Sequence, residues 1–576
     1  MPAQPKWVIS EPDPTNLRTI AETPASSSLS PLVQRLLCLR GHSDPDAIER
    51  FLFPKLQDLS DPFRLPEMDK AVERILAAVD RAEPVAIYGD YDVDGVTSLT
   101  LFKHILKAYG VEPHLFLPHR TEEGYGLSRA GLDRCLEEHS PALLIAVDCG
   151  TSSATEVARL QNDLGIAVII VDHHECPPNA RPLCSALVNP KASADGSPTG
   201  YEYLCSAGLV FKVAHALLKK RPVPGFDLRR YIDIAALGTV ADIVPLVDEN
   251  RLIVRKGLSQ LERTDHPGLR ELKRVASVNG RVQASDVGFR LGPRLNAAGR
   301  VDTAQTSLDL LLADCEDEAR QLAQTLDLHN RERQALERRT YTEAVELLER
   351  DHDTSNDPCF IIGSDKWHPG VVGIVASRLM RAYHRPTFVV AINEDGNGKG
   401  SGRSVPGISL IEAINACSDL LINGGGHEMA AGISLPQENI TAFRSAFIDC
   451  VRNAAANTES LTQTLNIDAS TELAELTLDM LDSYELLQPF GSANPEPIFM
   501  VSGVTVANEP RVLKDRHLKL RLKQGSEVRD AIYFGGAEQD LPRFPWDVAF
   551  QISRNTFRGN HSIQLTVQAI RATPES

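Results

Sequence analysis

Three uninterrupted apolar runs, each ending in acids or histidines, set the pattern of this chain. Residues 85–88 lead into Gly89-Asp90-Tyr91-Asp92-Val93-Asp94-Gly95, 143–147 into Asp148-Cys149-Gly150, and 166–171 into Asp172-His173-His174-Glu175. A run without apolar–polar alternation is what a strand buried on both faces of a parallel sheet requires. Open parallel sheets hold ligands beyond the carboxyl ends of their strands, so the three clusters are expected at one sheet edge. Around them the spacing turns helical. Val72, Ile75, Leu76 and Val79 mark a helix over 68–81, and another is expected from about Thr97 to Tyr109. A short strand follows at 115–117, and an apolar helix over 231–240 delivers Asp242. This alternation predicts a doubly wound α/β domain over 61–265.

The rest of the chain divides by the same criterion. Residues 1–60 form an N-terminal extension, with an amphipathic stretch at 31–40 and a helix start at Ser43-Asp44-Pro45-Asp46, expected to pack on the first domain. Residues 266–350 combine a segment rich in arginine and small residues, 289–300, with a charged, leucine-bearing stretch lacking proline and glycine over 306–350. The first suits anion binding, and the second predicts long helices joining two domains. Residues 351–455 repeat the α/β pattern, with strands at 359–362 and 387–392 and a helix over 371–383. Gly400-Ser401-Gly402-Arg403-Ser404 and Gly424-Gly425-Gly426-His427 follow. Such glycines let a backbone approach a ligand, and the histidine can donate to a phosphate. After a linker from 456, five short strands at 501–506, 517–522, 529–534, 547–554 and 562–569 predict an OB-type β-barrel. The fold class is thus multidomain α/β with a C-terminal barrel.

Composition narrows the setting. At 576 residues the chain has room for three or four domains, and its ten cysteines include no CxxC pair. That fits reduced thiols in the cytoplasm better than a disulfide framework. Residues 1–10 show no basic-then-apolar leader pattern, and no apolar run has membrane-spanning length. A net charge of −17 argues against a uniformly basic DNA-binding surface. Residues 503–576 nevertheless carry 11 Lys/Arg against 8 Asp/Glu. There Lys514, Arg516, His517, Lys519 and Arg521 cluster, and Phe534, Trp546 and Phe557 offer stacking faces. A solvated strand edge is the plainer reading of that basic stretch.

The acidic clusters carry the chemistry. A lone Asp-x-Asp is usually a solvated turn, and Cys149 beside Asp148 has no paired base, so it reads as a small buried residue. Five aspartates and two adjacent histidines at one sheet edge would repel strongly unless cations neutralise them. Oxygen and imidazole donors suit Mn²⁺, Mg²⁺ or Zn²⁺, and the lack of paired cysteines argues against structural zinc. Seven donors suit two ions, the arrangement used to cleave phosphoesters.

These motifs, with Pro293-Arg294-Leu295-Asn296-Ala297-Ala298-Gly299-Arg300, Pro489-Phe490-Gly491 and Asn494-Pro495-Glu496-Pro497, resemble the DHH/DHHA1 phosphoesterase superfamily. Within it they resemble the bacterial exonucleases that digest single-stranded DNA 5′→3′. The resemblance runs from about residue 60 to the C-terminus. It implies that Asp90, Asp92, Asp94, Asp148, His173, His174 and Asp242 hold two Mn²⁺ or Mg²⁺ ions, with Asp148 bridging and Asp172 orienting a histidine. It implies phosphate or DNA contacts from Arg120, Arg294, Arg300, Ser401, Arg403 and His427, with Ser401 and Arg403 nearest the 5′ end. Asp148, His174, His427 and Arg294 would serve the reaction directly, and Lys514, Arg516, Lys519 and Arg521 would bind DNA on the barrel. A strand threaded between the two α/β domains would give single-strand selectivity and 5′-mononucleotide products in DNA repair and recombination. A single-strand-binding protein and a helicase are implied partners, and a monomer is the family expectation. Many members have histidine where this chain has Tyr88, which leaves Asp90 as a further candidate ligand. The alternative from the same superfamily is a phosphodiesterase for dinucleotides or short oligoribonucleotides, against which the region after 456 argues. A non-enzymatic scaffold is disfavoured by the intact donor set.

Overall fold

The computed structural model describes residues 5–119, 123–124, 126–176, 180–193, 196–301, 303–456, 461–557 and 559–574. They fall into two compact units, one of residues 9–299, 303–324 and 466–576, the other of 1–8, 300–302 and 325–465.

In the first unit a parallel sheet carries β1 (Val85–Gly89), β2 (His114–Phe116), β3 (Leu143–Val147), β4 (Ala167–Val171) and β5 (Ala186–Val188). Its spatial order is β2-β1-β3-β4-β5. Register decides where the acids go. Gly89 aligns with Val147, and Val147 aligns with Val171. Three neighbouring strands therefore end at one level, and Asp90, Asp148 and Asp172 are the next residues of each. The strands are buried along nearly their whole length, as unbroken apolar runs demand.

Helix α1 spans Val93–Ala108, starting four residues before the expected Thr97. The Asp92 carboxylate accepts from the amides of Asp94 and Gly95 at 2.8 and 3.2 Å and caps it. Apolar spacing misses this first turn because its residues serve the sheet edge. Gly95 is obligatory, since a Cβ there would lie 2.2 Å from the Asp90 carbonyl oxygen. Among the other helices of the domain are α2 (Ser206–Lys220), α3 (Ile232–Ala241) and α4 (Asp248–Leu261). Lys212 on α2 and Glu249 on α4 form a buried ion pair at 2.8 Å.

A continuous 36-residue helix α5 (Glu316–Asp351) occupies the connector region. The second unit contains β6 (Phe360–Ser364), helix α6 (Pro369–Tyr383), β7 (Thr387–Ile392), β8 (Asn397–Arg403), β9 (Asn423–Gly426) and β10 (Ala430–Pro436), with sheet order β9-β10-β8-β7-β6. Both glycine-rich stretches, read from sequence as places where a backbone can approach a ligand, are largely strand. Their glycines fit packing: a Cβ at Gly402 would lie 2.4 Å from the Phe388 ring, and one at Gly400 2.8 Å from Ile433.

The C-terminal region brings β11 (Phe499–Val506), β12 (His517–Gln524), β13 (Glu527–Tyr533), β14 (Trp546–Phe557) and β15 (Asn560–Ala572) into a mixed sheet. The pairings run β11–β14–β15–β13–β12 and return to β11, giving a ring-like arrangement. The N-terminal helices Pro31–Leu39 and Pro45–Leu52 bury Val33, Leu36, Leu37, Ile48 and Leu52 in the core of these strands, with Phe499, Leu520 and Phe550. This corrects the expectation of packing on the first domain. The apolar faces are covered by the C-terminal core, while the first domain reaches the segment through Arg251, which donates to the Phe51 carbonyl at 2.8 Å.

Candidate metal centre and phosphate-binding residues

The sheet edge gathers all seven sequence-predicted donors. Three groups form, each with donor atoms within 4.8 Å of one another: Asp148, His173 and His174; Asp94, His173 and Asp242; Asp90, Asp92 and Asp148. Asp148 and His173 each belong to two groups, so the groups form one connected centre. His173 Nε2 lies 3.5 Å from Asp148 Oδ1, 3.5 Å from Asp242 Oδ2 and 3.9 Å from Asp94 Oδ2. Donors each about 2.1 Å from a shared ion sit about 3.0–3.4 Å apart, so this spacing approaches that of common ligation. His173 Nε2 and Asp242 Oδ2 are buried and make no hydrogen bond among the described residues. Leaving such atoms unpaired is costly, and a cation would satisfy both.

Electrostatics point the same way. Burial, reinforced by neighbouring carboxylates, pushes Asp148 well above the ordinary range and Asp242 up to about 9. Burial also raises Asp94, against the pull of His173. Burial drops His173 to about 4, keeping its imidazole neutral and able to ligate. His174 behaves oppositely: burial would lower it, but the hydrogen bond and charge of Asp172 lift it to about 9. Asp172 Oδ1 lies 2.7 Å from His174 Nδ1 and accepts from the amides of His173 and His174 at 2.8 and 3.2 Å. For Asp172 burial is outweighed by His174, and its carboxyl is held far below the usual range. Asp148 itself sits at φ 61°, a strained left-handed conformation for a residue with a side chain.

Several positioning residues escaped the sequence reading. Ser206 Oγ donates to Asp148 Oδ1 at 2.9 Å, and the amides of Ser206 and Ala207 donate to the two Asp94 oxygens at 2.8 Å. The start of α2 thus holds two donors at once. Asn189 donates to Thr151 Oγ1 and to the His174 carbonyl, both at 2.9 Å. Asn296 Oδ1 accepts from the Val93 amide at 3.1 Å, seating the 289–300 segment on the acidic turn. Small polar residues have no local signal for such contacts; only the resemblance drew Asn296 into a motif.

Tyr88 takes no part in the donor groups. It is buried, stacks on Phe116 with centroids 5.0 Å apart, and its hydroxyl donates to the Gly126 carbonyl at 3.2 Å. Cys149 is buried, which raises its thiol well above the ordinary range, as an inert core residue requires.

The expected phosphate residues divide between the units. In the first, Arg294 Nη1 donates to the Arg290 carbonyl at 2.7 Å. In the second, Arg300 Nη1 donates to the Gly370 carbonyl at 3.1 Å, and Arg403 Nη1 to the Gly402 carbonyl at 2.7 Å. Burial lowers the Arg403 pKa, a penalty that an anion would relieve. Ser401 and Arg403 share a neighbour: a Cβ at Gly373 on α6 would lie 3.4 Å from Ser401 Oγ and from Arg403 Nη2. His427 is exposed in the β9–β10 turn, where its amide donates to the Ala430 carbonyl at 2.8 Å. Arg120 lies outside the described residues.

On the C-terminal strands Lys519 and Arg521 occupy an exposed face, within 3.7 and 3.6 Å of Asp530, and Arg516 pairs with Glu538 at 2.8 Å. Lys514, at φ 49°, lies in the turn before β12. Phe534 is exposed beside His517. Trp546 is not a stacking face: it is 2% exposed and its indole N–H donates to the Pro542 carbonyl at 2.8 Å, because it fills the strand core. The Phe557 side chain lies outside what is described.

Among the described residues no helix is long and apolar enough to cross a membrane. Residues 84–239 match the DHH family N-terminal domain, 356–453 the DHHA1 domain and 467–569 the RecJ OB domain. The chain is 34% identical over 569 residues to the single-stranded-DNA-specific exonuclease RecJ of Bacillus subtilis (strain 168), covering 98% of this chain and 70% of that protein. Its fold is similar to RecJ from Thermus thermophilus in complex with Mn²⁺, with TM-score 0.83, 29% identity, and coverage of 99% of this chain and 80% of that one. The Mg²⁺ complex of the same protein superposes with TM-score 0.76 and 28% identity over 99% of this chain and 79% of that one.

Proposed function

Because the chain belongs to the RecJ family of single-stranded-DNA-specific exonucleases, we propose that its sheet-edge centre hydrolyses the phosphodiester bonds of single-stranded DNA from the 5′ end, releasing 5′-mononucleotides. The chain is a metal-dependent hydrolase whose substrate is single-stranded DNA. The observation that carries the reading is the connected donor set, in which Asp148 belongs to two groups. Asp90, Asp92, Asp94, Asp148, His173, His174 and Asp242 are the residues that would hold two Mn²⁺ or Mg²⁺ ions. Bound there, such ions supply a hydroxide near neutral pH and offset charge on the phosphoryl group.

The chain's own residues do the rest. His173 turns Nε2 toward Asp94, Asp148 and Asp242, and Asp172 fixes the His174 ring through Nδ1. Ser206 and the first amides of α2 hold Asp148 and Asp94 in place. Arg294, Arg300, Ser401, Arg403 and His427 are assigned to the phosphates, with Ser401 and Arg403 at the 5′ terminus. Arginine suits this task because its planar fork matches two phosphate oxygens. Lys514, Arg516, Lys519 and Arg521 are assigned to the trailing strand, with Phe534 as a stacking face. A single-strand-binding protein and a helicase are assigned as partners in repair and recombination.

Oligonucleotides labelled at either end test this reading. With Mn²⁺, the 5′ label should leave as a mononucleotide at once, while a 3′-labelled strand shortens gradually. A duplex should resist. Hydrolysis of a dinucleotide with the long strand intact would move the chain to the short-substrate class.

A further inference from the structure

Helix α3 stops one residue past a donor of the metal centre, on a side chain that the stop itself disfavours. The Asp242 amide donates to the Gly238 carbonyl at 3.0 Å and the Ile243 amide to the Val240 carbonyl at 3.3 Å, which closes the last turn. Ile243 then takes φ 63°. Helices commonly end on such a left-handed residue, and glycine or asparagine fills the place at least cost. A β-branched residue there is an outlier, because its Cβ crowds the backbone. Nor does burial repay the strain, since Ile243 is 74% exposed. Single apolar residues on a surface are ordinary. One held in a strained conformation, out of the core and beside an active centre, is not, and strain of this kind gathers at functional sites.

The exposure of the donors tells where the centre opens. The side chains of Asp94 and Asp148 are 1% and 3% exposed, those of Asp242 and His174 20% and 40%. A strand that reaches the centre therefore arrives past Asp242 and His174. Ile243 follows Asp242 directly, with Cα atoms about 3.8 Å apart, and so stands on that rim. Beside His174 the rim is charged: Glu175 pairs with Lys191 at 3.2 Å. Ile243 adds to it an aliphatic surface that neither donates nor accepts a hydrogen bond.

Distance selects what that surface meets. A phosphodiester held at the donors carries a sugar on each side, and the bases lie one sugar further out. A side chain one residue from a donor is within reach of the sugars. Deoxyribose presents a C2′ methylene, which packs on an aliphatic side chain, whereas ribose presents there a hydroxyl that isoleucine cannot pair. We propose that Ile243 is a sugar-selecting residue: it packs on one of the two sugars flanking the scissile phosphate and favours deoxyribose over ribose. The proposal rests on the exonuclease reading above and adds to it a residue that discriminates against RNA.

The test compares kcat/KM for the first cut of three strands of one sequence: all-deoxy, with ribose in the first two nucleotides, and with abasic deoxyribose in the same two. Wild type should prefer deoxyribose to ribose by about ten- to a hundredfold, the scale on which an apolar contact rejects an added hydroxyl. Ile243→Asn and Ile243→Gly both suit the backbone at φ 63°. In Ile243→Asn the amide can pair with the 2′ hydroxyl, so the preference should fall about tenfold through a gain on the ribose strand. In Ile243→Gly it should fall through a loss on the deoxyribose strand. The urea midpoint, read without substrate, should hold or rise in both variants as the strain is released. A preference unmoved in both variants while the midpoint drops makes Ile243 a packing residue and overturns the proposal. So does a wild-type cut slowed by abasic sites in a way that Ile243→Gly abolishes, which moves the contact to the base. Equal cutting of deoxyribose and ribose strands by wild type overturns this proposal alone, whereas cutting of neither overturns the exonuclease reading with it.

Discussion

His174 Nδ1 lies 2.7 Å from Asp172 Oδ1, and in the proposed centre this contact would make that carboxylate an orienting group. Asp172 also accepts the amides of His173 and His174, so a single side chain fixes both histidines of the motif. Asp172→Asn keeps the shape and removes the charge that raises His174. The Mn²⁺ concentration for half-maximal activity should rise about 10- to 100-fold, with circular dichroism unchanged. An unchanged metal requirement would remove Asp172 from this role.

The start of α2 should matter nearly as much as a ligand. Ser206→Ala deletes the 2.9 Å hydrogen bond to Asp148. A hydrogen bond to a charged group is worth about 1.5–3 kcal/mol, so kcat should drop by roughly ten- to a hundredfold, with the KM for DNA little changed. A rise in KM with kcat intact would argue that Ser206 meets substrate instead.

Gly238 on α3 leaves no room for a side chain. A Cβ there would lie 2.4 Å from Thr97 Oγ1, 2.6 Å from the Ala207 Cβ and 2.9 Å from Asp94 Oδ1. Gly238→Ala should cost about 1–3 kcal/mol in denaturant unfolding and reduce activity by displacing Asp94. Full activity at wild-type stability would contradict that packing.

The sheet edge was legible in the sequence because unbroken strands and the acids after them are local signals. Asp90, Asp148 and Asp172 follow three strands in register, and Asp242 follows an apolar helix; each could be read from its own neighbourhood. What stayed hidden depends on distant contact. Ser206 reaches Asp148 across 58 residues and Asn296 reaches Val93 across 203, and neither separation leaves a periodic trace. Trp546 failed as a stacking face for the same reason, since burial in a strand core is decided by the fold around it. The N-terminal helices showed an apolar face but not its partner, which proved to be the C-terminal core.

Asp233 ties stability to pH. It is buried, accepts from Thr264 Oγ1 at 2.9 Å, and burial raises its pKa from 3.8 to about 6. The folded state therefore favours the protonated acid. Its contribution is fully present below pH 3.8 and is lost as pH rises through about 6. Over that window the loss is on the order of 3 kcal/mol. Asp233→Asn stays neutral, so its stability relative to wild type should climb between pH 4 and 7 in urea titrations. Parallel pH profiles would contradict the raised pKa.

In the proposed centre Asp148 would serve two ions, since it belongs to two of the donor groups. Mn²⁺ binding followed by electron paramagnetic resonance tests it most directly. Wild type should bind two Mn²⁺ per chain with the broadened signal of a coupled pair, and Asp148→Ala should lose that coupling together with exonuclease activity. A single Mn²⁺ per chain, or a coupled pair surviving in Asp148→Ala, would contradict it.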